Sequence, residues 1–257
     1  MARLLIKEED FMSKALITGA TSGIGYEMTK ILVNQYDTVV AVGRNKEVLE
    51  SLKNEYQNII TYELDITDRD GCIKLFEEHK DVDLLINNAG FGDAGLFDET
   101  SLDKDLKMID TNIVGLHILT KLYLKEMKER NSGHILNVAS SAGFLPGPLM
   151  ATYYATKNYV VRLSEAIYRE LKKEKSNVKI SILCPGPVDT NFNKQANVKF
   201  ALKGKKSNDV ALYALKHLNR FYIVPGFTIK CVRFFARLVP SLWMSKMVYK
   251  QQKKKNN

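Results

Sequence analysis

Residues 14–30 read KALITGATSGIGYEMTK: an apolar run, a glycine-spaced turn and the start of a helical pattern. Gly19, Gly23 and Gly25 come directly after a strand and directly before a helix, the context in which a turn holds a phosphate group. One missing side chain lets the chain reverse, one lets the backbone approach a pyrophosphate, and one lets helix and strand pack closely. The helix start then offers unpaired N–H groups and partial positive charge to an anion. Gly19, Thr21, Ser22, Gly23, Ile24 and Gly25 are therefore the candidate dinucleotide-binding turn. The spacing is G-x-x-x-G-x-G, so the generic G-x-G-x-x-G fingerprint does not strictly apply.

Working outward, short apolar runs alternate with longer helical patterns, the signal of βα units building a parallel sheet. The runs are ALIT (15–18), TVVAVG (38–43), IITYEL (59–64), VDLLIN (82–87), HILNVA (134–139), VKISILC (178–184) and FYIV (221–224). Helices are predicted near 24–35, 45–55, 68–79, 101–130 with a break, 151–174 and 208–218. Several strands are apolar without alternation, as when helices cover both faces. The predicted fold is α/β: one doubly wound, seven-stranded parallel sheet over residues 13–225, between an N-terminal arm (1–12) and a tail (226–257).

The chain has 257 residues, 45% hydrophobic and 26% charged, an ordinary globular composition. No run approaches the roughly 18 apolar residues of a spanning helix. MARLLIKEEDF turns acidic after three apolar residues and lacks a cleavage site, so a cytoplasmic protein is expected. Cys72, Cys184 and Cys231 are far apart, suggest neither disulfides nor a metal cluster, and read as buried thiols. The net charge of +9 is uneven: residues 1–198 hold 24 Lys/Arg and 28 Asp/Glu, whereas 199–257 hold 14 basic residues and only Asp209. The basic character belongs to the tail, and no nucleic-acid partner is expected.

At the end of the second strand, where NAD-binding versions of this fold place a carboxylate, the chain reads Val42-Gly43-Arg44-Asn45. Arg44 suits a bidentate contact with a 2′-phosphate, favouring NADP over NAD; a solvated surface charge is the competing reading. Further on, Tyr153 and Lys157 stand four apart at the start of the helix 151–174, on one helical face. An ammonium held beside the phenol favours phenolate and would bring the tyrosine toward the range useful for general acid–base catalysis. Tyr154 has only the uncharged Asn158 four residues on. Three other strands end in Asn87-Asn88-Ala89-Gly90, in Ala139-Ser140-Ser141 and in Cys184-Pro185-Gly186-Pro187-Val188, gathering amide and hydroxyl groups where open α/β sheets bind ligands.

With TGxxxGxG, NNAG, a serine thirteen before YxxxK and the PG turn, residues 13–225 resemble the short-chain dehydrogenase/reductase family, its single-domain NADP-preferring branch, with a Rossmann fold. The resemblance implies Tyr153 as general acid toward a carbonyl oxygen, with Lys157 lowering its pKa and holding the nicotinamide ribose. It implies Ser140, rather than Ser141, on the substrate carbonyl and Asn112 holding a water in a proton relay. It puts Asp65 and Ile66 beside the adenine, Asn88, Ala89 and Gly90 along the cofactor, and Pro185, Gly186, Val188 and Thr190 by the nicotinamide. No metal is implied. The expected activity is NADP(H)-dependent interconversion of a carbonyl and an alcohol on an apolar substrate, in a homodimer or homotetramer using the helices near 101–130 and 151–174. An NAD-dependent alcohol dehydrogenase and a noncatalytic NADP-sensing protein are the alternatives.

Residues 190–207 fall where the family carries a substrate lid, and their lysines suit either an anionic substrate or a solvated face. In the tail, Phe227, Cys231, Phe234, Phe235 and Leu238 share one helical face, opposite Lys230, Arg233 and Arg237; Pro240 is expected to end that helix. The apolar face is expected to pack on the body or a partner subunit and roof the pocket, with peripheral membrane contact as the competing role.

Overall fold

The computed structural model describes residues 14–190 and 204–256, with side chains of the last helix described through Lys253. The expected arm (1–12) and most of the expected lid (191–203) lie outside the described residues. The strands are β1 (Lys14–Thr18), β2 (Thr38–Gly43), β3 (Ile59–Glu63), β4 (Leu84–Asn87), β5 (His134–Val138), β6 (Lys179–Leu183), β7 (Val188–Asp189), β8 (Lys205–Lys206) and β9 (Tyr222–Ile223). Seven of them form one parallel sheet in the order β3-β2-β1-β4-β5-β6-β9, and β7 pairs with β8 apart from it. The helices are α1 (Gly23–Leu32), α2 (Lys46–Glu55), α3 (Arg69–Glu78), α4 (Leu102–Ile109), α5 (Leu116–Arg130), α6 (Ala151–Lys173), α7 (Ser207–Lys216), α8 (Phe227–Phe235) and α9 (Ser241–Asn256). The expected seven-stranded doubly wound sheet is thus present, and its order reverses between β1 and β4, where such sheets open a binding crevice.

The unbroken apolar strands are explained by their two covered faces. Ala15, Ile17, Val39 and Ala41 pack with Met28 and Leu32 of α1 and Val210 and Ala214 of α7. Leu16, Val40 and Val42 point the other way, into a layer with Leu75 of α3, Leu119 and Tyr123 of α5 and Ile167 of α6. The predicted break in the helix 101–130 is a π-helical turn, Asp110–Gly115, between α4 and α5. It is wedged against the chain after β3: a Cβ added to Gly115 would lie 2.4 Å from the Ile66 carbonyl oxygen.

The tail departs from the expectation. Its helices do pack on the body, but not by the predicted apolar face. Ile229 is the buried residue of α8, whereas Phe227, Phe234, Phe235 and Leu238 are 81%, 61%, 54% and 65% exposed. Arg233, expected on the outer face, stacks on the Tyr222 ring with its guanidinium carbon 3.4 Å from the ring centre. Tyr222 is hydrogen-bonded in turn to Glu165 of α6, which also pairs with Arg162 at 2.6 Å. A cation stacked on an aromatic face and held near a carboxylate outcompetes a greasy contact for that position. Pro240 does not end α8, which stops at Phe235; its carbonyl accepts from Trp243 and Met244 amides at 3.0 and 3.1 Å, so it heads α9. Cys72 and Cys184 are buried as expected, but Cys231 is only half-buried. Among the described residues no helix is long and apolar enough to cross a membrane.

Candidate active site

The turn after β1 is fixed from two sides. Gly19 has φ +68°, and a Cβ there would lie 2.8 Å from the Ala89 backbone, so both conformation and space demand glycine. A Cβ on Gly25 would lie 2.3 Å from the Gly19 carbonyl oxygen, which makes it the residue that lets α1 close on the turn. Asn88, at the end of β4, donates through Nδ2 to the carbonyls of Thr18 (3.0 Å) and Gly19 (3.2 Å). The Thr18 hydroxyl accepts from the Asn88 and Ala89 amides at 3.1 and 3.2 Å. Ser22 stands at the N-cap of α1 in extended backbone without a side-chain cap, and no acidic residue occupies the first turn. The amides of Gly23, Ile24 and Gly25 precede the helix's own bonding and remain available to an anion. A glycine cradle with no room for Cβ atoms, opening on an uncapped helix start, fits a dinucleotide pyrophosphate.

At the ends of β2 and β3, Arg44 donates through Nη1 to Asp65 Oδ2 at 3.1 Å and keeps its side chain 58% exposed. Asp65 Oδ1 accepts from the Thr67 amide and hydroxyl at 3.2 and 3.0 Å. Burial opposes its charge, but the Thr67 amide and the Arg44 guanidinium together hold the carboxyl below the usual carboxylate range. Arg44 and Asp65 thus meet directly, which the sequence did not foresee, and Ile66 is buried beside them.

A cleft of about 270 Å³ runs along the carboxyl ends of the central strands. From the predicted set it gathers Gly19, Ser22, Gly23, Ile24, Asn88, Ala89, Gly90, Ser140, Tyr153, Lys157, Pro185, Gly186, Val188 and Thr190. Thr21, Gly25, Arg44, Asp65, Ile66 and Asn112 do not line it. Tyr153 and Ser140 line the cleft together, and the Ser140 side-chain oxygen accepts from the Ala142 amide at 3.2 Å. Ser141 also lines the cleft, with its amide donating to the Pro185 carbonyl at 2.8 Å. Lys157 donates to the Val138 carbonyl at 3.0 Å.

The electrostatics differ from the expected phenolate. Burial pushes the Tyr153 phenol up to about 12, with the nearby Ser140 side chain working the other way, and pushes the Lys157 ammonium down to about 8. Desolvation opposes charge on both members of the pair and outweighs the attraction the four-residue spacing suggested. Tyr153 therefore carries its proton at neutral pH, the form a general acid needs.

Asn112 sits in the π-helical turn, fully buried, and every part of its amide is engaged. Nδ2 donates to Phe91 O (2.9 Å) and Thr156 Oγ1 (3.0 Å), and Oδ1 accepts from the Phe91 amide (3.0 Å). A Cβ on Gly90 would lie 2.8 Å from Asn112 Oδ1 and 3.2 Å from Lys157 Nζ, so Asn112 stands directly behind Gly90 and next to the lysine.

The tail does close one side of the cleft, as a roof over the pocket would, but by residues that sequence reasoning did not name. Leu145, Met150 and Tyr154 line it together with Ile229, Val232, Val248, Gln251 and Gln252 from the tail. Gln252 is buried and donates to the Tyr154 hydroxyl at 2.9 Å, and Val248 stands one helical turn before it. The available signal was the Met244, Val248, Gln252 spacing along α9, which marks one face without an obvious apolar stripe. Among the described residues no group of three His, Cys, Asp or Glu side chains is placed to hold a metal.

The family model described as short chain dehydrogenase matches residues 13–200. Dehydrogenase/reductase SDR family member 11 of Homo sapiens is 34% identical over 194 residues, covering 69% of this chain and 74% of that one. A short-chain dehydrogenase/reductase from Burkholderia phymatum, solved in complex with NAD, is 26% identical with a TM-score of 0.77, over 88% of this chain and 92% of that one. A short-chain dehydrogenase from Sphingobium yanoikuyae, solved with NADPH, is 25% identical with a TM-score of 0.79 over the same shares, 88% and 92%.

Proposed function

The chain belongs to the short-chain dehydrogenase/reductase family of NAD(P)-dependent oxidoreductases, and from that premise we propose that it reduces a carbonyl to an alcohol, or runs the reverse, with NADP(H), on an apolar substrate. The observation that carries this reading is that Ser140, Tyr153 and Lys157 line one cleft with the glycine turn. Gly19, Gly23, Ile24, Asn88 to Gly90 and Thr190 would hold the dinucleotide, with Arg44 on a 2′-phosphate. When bound, the nicotinamide supplies or accepts a hydride. Ser140 and Tyr153 would bind the substrate oxygen, and Tyr153 would hand its phenolic proton to that oxygen during reduction. Lys157, anchored by the Val138 carbonyl, would stabilise the phenolate left behind. Asn112 acts from behind Gly90 as a positioning residue. Val138, Leu145, Met150, Ile229 and Val248 make the substrate side apolar and exclude water.

The preference for NADP rests on Arg44, the cation at the ribose-binding strand end; the solved relatives include both an NAD and an NADPH complex. The test is loss of NADPH absorbance on a panel of ketones, quinones and acyl substrates, with Tyr153→Phe beside the wild type. Wild-type turnover is expected, falling about 10²–10⁴-fold in the variant with NADPH binding retained. NADPH binding without turnover in the wild type would return the chain to the sensor reading, and undiminished turnover in Tyr153→Phe would remove Tyr153 from the mechanism.

A further inference from the structure

Helices α8 and α9 each have two working faces. Ile229 and Val232 of α8 and Val248 and Gln252 of α9 line the cleft. The opposite faces carry large apolar side chains with no described cover: Phe227, Phe234, Phe235, Leu238, Leu242, Trp243 and Met247 are between 54% and 81% exposed. Six bulky apolar groups on two consecutive helices, with Leu238 in the turn between them, form a patch rather than the scattered exposure ordinary for a surface. Interleaved with them are the exposed cations Lys230, Lys246, Lys250 and Lys253, and residues 210–257 contain no Asp or Glu; Arg237 turns instead toward Glu165, 3.8 Å away.

We propose that this outer face of α8 and α9 docks on a bilayer surface bearing anionic headgroups. The apolar groups would enter the boundary between headgroups and acyl chains, while the cations meet the lipid phosphates. Charge complementarity decides among occupants. A second copy on the same face would set one row of exposed lysines against another, which costs repulsion. A nucleic acid would satisfy the cations but leave Phe234, Phe235 and Trp243 without an apolar phase, since those side chains sit on helices with no groove-reading pattern. An anionic bilayer satisfies both. Docking would also bring the tail-lined side of the cleft close to the lipid. The proposal stands on exposure and charge and does not depend on the reaction assigned to the cleft.

Trp243 is the chain's single tryptophan and lies in the patch, so its emission reports on docking without added labels. The full chain is titrated with phosphatidylglycerol/phosphatidylcholine vesicles, with phosphatidylcholine vesicles alone, with a duplex oligonucleotide, and by its own dilution series. Expected are a blue shift and co-sedimentation with the anionic vesicles, weakened at least tenfold between low and high salt, and no shift with phosphatidylcholine alone. Lys246→Gln and Lys250→Gln should each weaken partitioning about fivefold. Phe234→Ser/Phe235→Ser should weaken it at least about tenfold, with circular dichroism and NADPH binding unchanged because both side chains already face outward. Absence of sedimentation with anionic vesicles overturns the proposal. So does a blue shift that follows protein concentration without lipid, which identifies a second copy, or one that follows the oligonucleotide in place of vesicles.

Discussion

Tyr153 and Lys157 share a helical face, and burial opposes charge on each of them. On the proposed reading, reduction needs the Tyr153 proton and the Lys157 ammonium together. The phenol keeps its proton up to about 12, so the alkaline limit falls to the lysine, near about 8. The kcat/KM for reduction should therefore stay level through neutral pH and fall roughly tenfold per unit above about pH 8; a profile level to pH 10 would remove Lys157 as the limiting group. Arg44 carries a separate prediction. Its partner Asp65 is a carboxylate at all neutral pH values, so a 2′-phosphate must draw the guanidinium away from that contact or share it. Arg44→Asp should raise the KM for NADPH about 10–100-fold while changing that for NADH little, as kinetics with both cofactors would show. That Tyr153, Lys157 and Ser140 meet in one cleft was legible from the Tyr-x-x-x-Lys spacing taken together with the family resemblance. The direction of the tyrosine's shift was not, because desolvation depends on which other segments cover the helix.

The π-helical turn is the element that places Asn112, and it is seated by contact with Ile66. Gly115→Ala should push it off that seat, costing about 1–3 kcal/mol in chemical denaturation and lowering kcat more than the KM for cofactor. The sequence marked a break there but gave no hint that the turn widens into a π form. That depends on the Ile66 carbonyl, which is 49 positions away from Gly115 in the chain. Helix α9 shows the opposite kind of failure. A helical wheel assumes that the apolar stripe faces inward, yet α8 and α9 turn a mixed stripe, with Gln252 in it, toward the cleft and leave the aromatics outside. Val248→Asp should raise the KM for apolar substrates about tenfold or more while the KM for NADPH stays put. Equal effects on both would mean the tail supports the whole fold rather than the substrate side.

At the scale of the molecule, the sheet was readable almost strand for strand, because two covered faces force unbroken apolar runs whose order the connections then dictate. What surrounds the molecule was not readable. A second apolar surface lies on α4, where Leu102 and Leu106 are 71% and 50% exposed, beside Phe97 at 70%. A homodimer or homotetramer built on α4 and α5 would cover it. Light scattering should then give a multiple of 29.2 kDa, and Leu102→Asp/Leu106→Asp should return the mass to one chain. The three thiols divide along the same lines of cover. Burial pushes Cys72 up to about 11 and Cys184 up to about 12, so neither offers a thiolate to an alkylating reagent in the folded protein. Cys231, on α8, is only half-buried and within reach of such a reagent. Maleimide should modify one thiol under native conditions and three in denaturant, by intact mass. The natural sequence would then carry a single attachment point for a spin label or fluorophore on the helix that walls the cleft.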